Sequence, residues 1–183
     1  MPPRSDGMSV EGVDSRSNSF ERWGAEWQIR TVRQRLAHDC GVACMAMVTG
    51  AEYEACLATF RRLGLDRPPK PFASNFRQLM AAIASGTTDG AGALSPKMMR
   101  WRGWDSFEGL GIIKVHNGSA RSWHWVVAER HPRFGLVARD PAQPFLFVAH
   151  PFPGGPHGDL SLLSPYGNWI QVAGASERTP QAC

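Results

Sequence analysis

What the sequence lacks narrows its reading first. No apolar run in the 183 residues approaches 18 in length, so a membrane-spanning helix is not expected. The first 30 residues carry Arg4, Asp6, Glu11, Asp14, Arg16, Glu21 and Arg22 with no apolar stretch among them, so no secretory signal is visible. The expected compartment is the cytoplasm, and a leaderless secreted effector would read the same. No Gly-x4-Gly-Lys-Ser/Thr loop is present to cradle nucleotide phosphates. The net charge is only +4, and its densest basic groups, Arg61-Arg62 and Lys97, Arg100 and Arg102, read as solvated faces. Without a basic stripe, no nucleic-acid partner is expected. The four cysteines (Cys40, Cys44, Cys56 and Cys183) include no Cys-x-x-Cys pair and are too few for a disulfide scaffold. They are expected as reduced thiols. His150 and His157 flank a Pro/Gly-rich loop with no third ligand in sight, so no metal is expected. Gly154-Gly155-Pro156 in that loop reads as a turn.

What is present fits one globular domain. Hydrophobic residues make up 43% and charged residues 20%, enough apolar material for a core at this length. Residues 1–20, polar and Gly/Ser-rich, read as a flexible tail, 21–173 as the domain, and 174–183 as a second polar tail. Phe20, Trp23 and Trp27 have the spacing of a short amphipathic helix. A stronger helix is expected after Asp39 as N-cap. Its run Cys40–Val48 is apolar on every side, the mark of a buried central helix, and Gly50 is its natural stop. A second helix is expected from about Glu52 to Leu63. A third is expected from the cap Ser74 to near Gly86, with Phe76, Leu79, Met80 and Ile83 on one face. Beyond Gly86 the texture changes to short strand-like runs: Leu110–Val115, Trp123–Glu129, Phe134–Arg139, Phe145–Ala149 and Asn168–Val172. Helices followed by antiparallel strands make an α+β pattern.

Three residues carry the chemical interest. Cys40 opens the apolar helix, where unpaired N–H groups and the helix dipole favour a thiolate. Gly41 and Ala43 leave room beside it. By position alone such a cysteine is more often a buried structural one. His124 lies in Trp123-His124-Trp125-Val126-Val127, whose alternation puts His124, Val126 and Ala128 on one face and Trp123, Trp125 and Val127 on the other. A hairpin turning at His131-Pro132-Arg133 would oppose Ala128 with Leu136, Val126 with Ala138, and His124 with Asp140. Opposed residues share a face at about 5 Å, which brings a carboxylate to an imidazole. Singly, a strand histidine is usually packing and Asp140-Pro141 a turn starter. Together with Cys40 they match the needs of a Cys–His catalyst.

The run Gln34-Arg-Leu-Ala-His-Asp39-Cys40-Gly41-Val42-Ala43-Cys44-Met45-Ala46-Met47-Val48 resembles the start of the bacteriocin-processing peptidase domain, found on exporters of double-glycine-leader peptides. Trp-His-Trp-Val-Val around His124 and Asp140-Pro141-Ala142 are similar to that family's histidine strand and Asp-Pro-Ala turn. The likeness runs through about 30–173 in the same order. It implies a papain-like cysteine peptidase fold, a helical half against an antiparallel sheet with the cleft between them. Residue by residue it implies Cys40 as nucleophile, His124 as general base and acid, and Asp140 as orienting residue. Gln34 matches the side-chain donor of the oxyanion hole, beside the Cys40 N–H. No cofactor is implied, and the partner is a peptide or protein substrate. The chain has no room for the exporter's membrane and ATP-binding domains, so a stand-alone peptidase is expected and the leader-peptide substrate does not carry over directly.

Two other functions fit the same residues. An amidase, deamidase or acyl-transferring effector toxin would use the same triad. A non-catalytic peptide-binding module would keep the fold alone. Cys44 and Cys56 are expected in helix cores, Cys183 in a tail, and His38 in an exposed loop. Trp123 and Trp125 are expected either as cleft walls or as packing.

Overall fold

The computed structural model describes residues 29–86, 94–116, 122–131, 135–149 and 157–173. Among the described residues three helices come first: α1 (Cys40–Thr49), α2 (Tyr53–Arg62) and α3 (Phe76–Ser85). Seven strands follow: β1 (Lys97–Arg100), β2 (Leu110–His116), β3 (Trp123–His131), β4 (Gly135–Arg139), β5 (Leu146–Val148), β6 (His157–Asp159) and β7 (Pro165–Ala173). They form one mixed sheet in the order β1-β7-β2-β3-β4-β5-β6. The fold is α+β, helices before strands. The expected Phe20–Trp27 helix, both tails, and the Gly154-Gly155-Pro156 turn lie outside the described residues.

The helices form where their patterns require. α1 is apolar throughout, and all its residues from Gly41 to Val48 are buried. Gly50 ends it in the left-handed conformation (φ 72°), its N–H donating to the Ala46 carbonyl. α2 buries Tyr53, Cys56, Leu57 and Phe60, one face at helical spacing. Arg61 and Arg62 sit in its last turn, where they favour the dipole. α3 starts one residue later than expected. Asn75, not Ser74, is its cap, in a reciprocal capping box with Gln78. The Ser74 carbonyl instead accepts a hydrogen bond from the Trp125 indole at 3.0 Å.

The sheet departs from expectation in three ways. β5 and β6 run parallel, so the sheet is mixed rather than antiparallel. β1 and β6 have no counterpart among the expected strands. Every residue of β1 is exposed, so no alternation marks it in sequence. The β3–β4 hairpin is also slipped by two residues: Ala128 faces Ala138, Arg130 faces Leu136 and His131 faces Gly135. The pairing is centred one residue later than expected, and Gly135, the first residue of β4, takes a positive φ (70°) that suits glycine. A two-residue slip preserves which face each side chain occupies.

Both faces of the sheet are covered. Leu110, Ile112, Trp125, Val127, Ile170 and Val172 meet the helices in one cluster. Ile113, Val115, Val126, Ala128, Ala138 and Trp169 form a second cluster with Phe107, Phe147, Leu160 and Leu163. On the helix side, Glu129 and Arg139 make a fully buried ion pair at 2.5 Å. Among the described residues no helix is long and apolar enough to cross a membrane.

Candidate functional site

Cys40 is the first residue of α1 and is half-buried, while Cys44 and Cys56 are fully buried. Burial pushes the Cys44 thiol well up, helped by the nearby Cys40 and Asp140 charges. Burial likewise raises Cys56 to about 11. Both are therefore poor nucleophiles at neutral pH. The amides of Val42 and Ala43 donate to the Asp39 carbonyl at 2.9 and 3.1 Å, leaving those of Cys40 and Gly41 as the open N–H groups of the helix end.

Gly41 is not the access gap its size implies. A β-carbon there would lie 2.5 Å from the Ser74 hydroxyl and 3.5 Å from the Phe60 ring. Its missing side chain is used to seat α1 against its neighbours. Ala43 is also fully buried.

His124 sits near the start of β3, opposite Val115 on β2. Asp140 follows the last residue of β4, past the end of the ladder, so it reaches His124 diagonally rather than directly across. The His124 Nε2–H donates to Asp140 Oδ1 at 2.5 Å, both side chains almost wholly buried. The same Oδ1 accepts the Ala142 N–H at 2.7 Å, an Asx turn that fixes the carboxylate. Cys40 lies close enough to the His124 ring to act on its proton affinity. With Nε2 committed to Asp140, Nδ1 is the nitrogen left for sulfur. Burial lowers the His124 pKa, but the hydrogen bonds and charges of Asp140 and Cys40 outweigh it and lift it from 6.5 to about 9.

Gln34 lies on the strand of chain entering the site. Its main-chain N–H donates to the Pro141 carbonyl at 3.1 Å, beside Asp140. Arg33 donates to the Ala142 carbonyl, closing the same join. The Gln34 side-chain Nε2 donates to the Leu36 carbonyl at 3.2 Å, and only the NH2 end of the amide can make that contact. The second hydrogen on that nitrogen has no acceptor among the described residues, and Oε1 is buried without a partner among them.

Asp39 is the largest surprise at the site. It flanks α1 as expected, yet its side chain makes no capping bond. The carboxylate is fully buried and turns back, Oδ2 accepting the Arg35 and Leu36 amides at 3.0 Å each and the Tyr53 hydroxyl. No sequence spacing announces Tyr53 as its partner. The available signal was the acid itself, placed between an apolar helix and a loop, where an unpaired charge is costly.

A cleft of about 310 Å³ opens beside the pair, with His124 and Asp140 in its lining and Val115, Phe145, Phe147 and Leu163 as apolar walls. Cys40 is not part of that lining. Neither tryptophan lines it either. Trp125 is 1% exposed and meets Phe76 edge-on. Trp123 is 38% exposed and carries the Lys114 ammonium over its ring. His38 is exposed, and His157 opens β6. His150 and Cys183 lie outside the described residues. Among the described residues no cluster of three His, Cys, Asp or Glu is arranged to hold a metal.

Comparison of the chain with models of known protein families finds no match, and comparison with curated proteins finds none either.

Proposed function

We propose that the chain is a papain-like cysteine peptidase, with Cys40 as nucleophile, His124 as general base and acid, and Asp140 as the orienting residue. The observation that carries this reading is a single imidazole shared between two partners. Its Nε2 donates to a buried carboxylate at 2.5 Å, and the half-buried thiol of Cys40, at a helix start, is near enough to raise the ring's pKa. That is the nucleophile–base–orienter arrangement of covalent acyl chemistry. The similarity of the Gln34–Val48 run and the Asp140-Pro141-Ala142 turn to bacteriocin-processing peptidases supports the same assignment.

The proposed steps are those of covalent acyl transfer. The imidazolium holds a thiolate at Cys40, and the sulfur attacks a peptide carbonyl. The negative charge that builds on the carbonyl oxygen meets the open Cys40 N–H and the second hydrogen of Gln34 Nε2. His124 gives its proton to the departing amine, leaving a thioester on Cys40. The neutral ring then takes a proton from water, and the resulting attack releases the acid and restores the thiolate. Asp140 keeps the ring aligned and stabilises its charged form throughout.

The test is iodoacetamide labelling of each cysteine against pH, read by mass spectrometry. An ordinary thiol titrates near pH 8.5 and an activated one well below it. Cys40 is expected to react at about pH 6 at least tenfold faster than Cys44 or Cys56, and His124→Ala is expected to abolish that lead. A Cys40 as slow as an unactivated thiol at pH 6 rules out the peptidase reading and leaves the binding module.

A further inference from the structure

We infer that Asp39 and Tyr53 form a positioning pair that shapes the loop before Cys40 for acyl chemistry, acting through Gln34. The inference rests on the proposed role of Cys40 as nucleophile. A carboxylate with no exposure must be well hydrogen-bonded or its burial is strongly unfavourable. Asp39 meets that need on one oxygen, Oδ2, with three donors from outside its own helix, while Oδ1 is buried with no partner among the described residues. Two are amides of the loop, Arg35 and Leu36, and the third is the Tyr53 hydroxyl at the start of α2.

The bonds continue from Asp39 to Gln34. The Leu36 N–H is held by Asp39, and the carbonyl of the same residue accepts the Gln34 side-chain amide. At its other end Gln34 is tied by its main chain to Pro141, next to the residue that holds His124. Gln34 is thus gripped between the Asp140 turn and the Asp39 carboxylate. Outside the grip, the Arg35 guanidinium lies 4.1 Å over the Tyr53 ring and pairs with Glu54 at 2.6 Å, roofing the buried contact. A helix cap would need only one of these bonds, to an amide of α1, and Asp39 makes none there. The arrangement fixes the loop, and through it the amide that faces developing charge.

The test separates two reactions of one sulfur. p-Nitrophenyl acetate acylates Cys40 through an oxyanion at its carbonyl, whereas iodoacetamide alkylates it by displacing iodide with no such oxyanion. Tyr53→Phe keeps the ring and deletes the hydroxyl. It is expected to slow acylation of Cys40 about tenfold, a fraction of what losing an oxyanion donor outright does. The iodoacetamide rate should stay within about twofold from pH 5 to 9, because the Cys40–His124 contact is untouched. In a Gln34→Ala background the same change should have no further effect, since both act through one group.

Equal rates for Tyr53→Phe and wild type in both reactions, a parallel fall in both, or additive effects with Gln34→Ala each overturn the pair. If Tyr53→Phe does not fold, amide exchange in the wild-type protein decides. Arg35 and Leu36 amides protected relative to His38 support the inference, and exchange as fast as His38 overturns it. A wild-type Cys40 without enhanced alkylation overturns the nucleophile reading and the pair together. An activated Cys40 with an unaffected Tyr53→Phe overturns the pair alone.

Discussion

His124 has two neighbours that pull its proton affinity the same way, and that sets how the molecule responds to pH. Burial alone would drive the ring neutral, yet Asp140 and Cys40 lift its pKa from 6.5 to about 9. Because the folded value lies above the unfolded one, the interaction stabilises the fold fully below about pH 6.5. The contribution fades as pH rises through 9, where the folded ring loses its proton. The full shift is worth on the order of 3 kcal/mol. Urea unfolding of wild type and His124→Gln should therefore differ most at pH 6 and converge by about pH 10. A gap that widens with pH contradicts the assignment of the charged ring to the native state. The helix-start position of Cys40 and the meeting of His124 with Asp140 were legible in the sequence, because a helix-start cysteine, a strand histidine and an Asp-Pro turn each have a local signature. The work of Asp39 was not. Its nearest signature is that of a helix cap, and only tertiary folding brings the Tyr53 hydroxyl to it from the next helix.

At the scale of elements, the decisive contact is the seating of the α1 N-terminus against the Ser74 hydroxyl and the Phe60 ring. Gly41→Ala would place its methyl group 2.5 Å from the Ser74 oxygen, at a serine only 3% exposed. The expected cost is about 1–3 kcal/mol of stability, as for other insertions into packed sites. Ser74→Ala removes the offending oxygen, so the double variant should recover most of that loss in a thermal or urea denaturation cycle. Strictly additive losses would show that the Phe60 ring, not the Ser74 oxygen, sets the limit at this position. Elements also show where sequence reading reaches its limit. The alternation in β3 fixed which face His124 occupies, and that held, with Val126 and Ala128 beside it in the second cluster. The register did not hold. It depends on where the hairpin closes, and the ladder, whose second strand opens at the left-handed Gly135, pairs two residues away from the expected register. Asp140 still meets His124 because that slip keeps the face, and the carboxylate reaches the ring diagonally from just past the end of β4.

Across the whole molecule the site straddles two layers. Cys40 belongs to the helices, packed at the edge of the cluster they share with the sheet, while His124 and Asp140 belong to the sheet itself. The order of helices and strands was legible because hydrophobic period changes from helical to alternating near Gly86. The sheet's edges were not, since β1 is exposed throughout and β6 is three residues long and pairs in parallel. Layered construction has a consequence for reactivity. The spacing of Cys40 from His124 is set by the helix-side packing, in which Trp125, the neighbour of His124, donates to Ser74 and meets Phe76 edge-on at 4.8 Å. Trp169 is its counterpart on the far face, packed on Phe107 at 4.6 Å. Trp125→Phe and Trp169→Phe should each cost about 1–2 kcal/mol, the former through a lost hydrogen bond as well as packing. Their effects on Cys40 should nevertheless diverge. Trp125→Phe loosens the helix layer over the sheet and should slow iodoacetamide labelling of Cys40 at pH 6 severalfold, measured well below the unfolding midpoint. Trp169→Phe leaves that layer in place and should leave the labelling rate near wild type. Equal slowing in both variants would mean that reactivity at Cys40 follows overall stability, and that the two faces of the sheet do not act as separate supports.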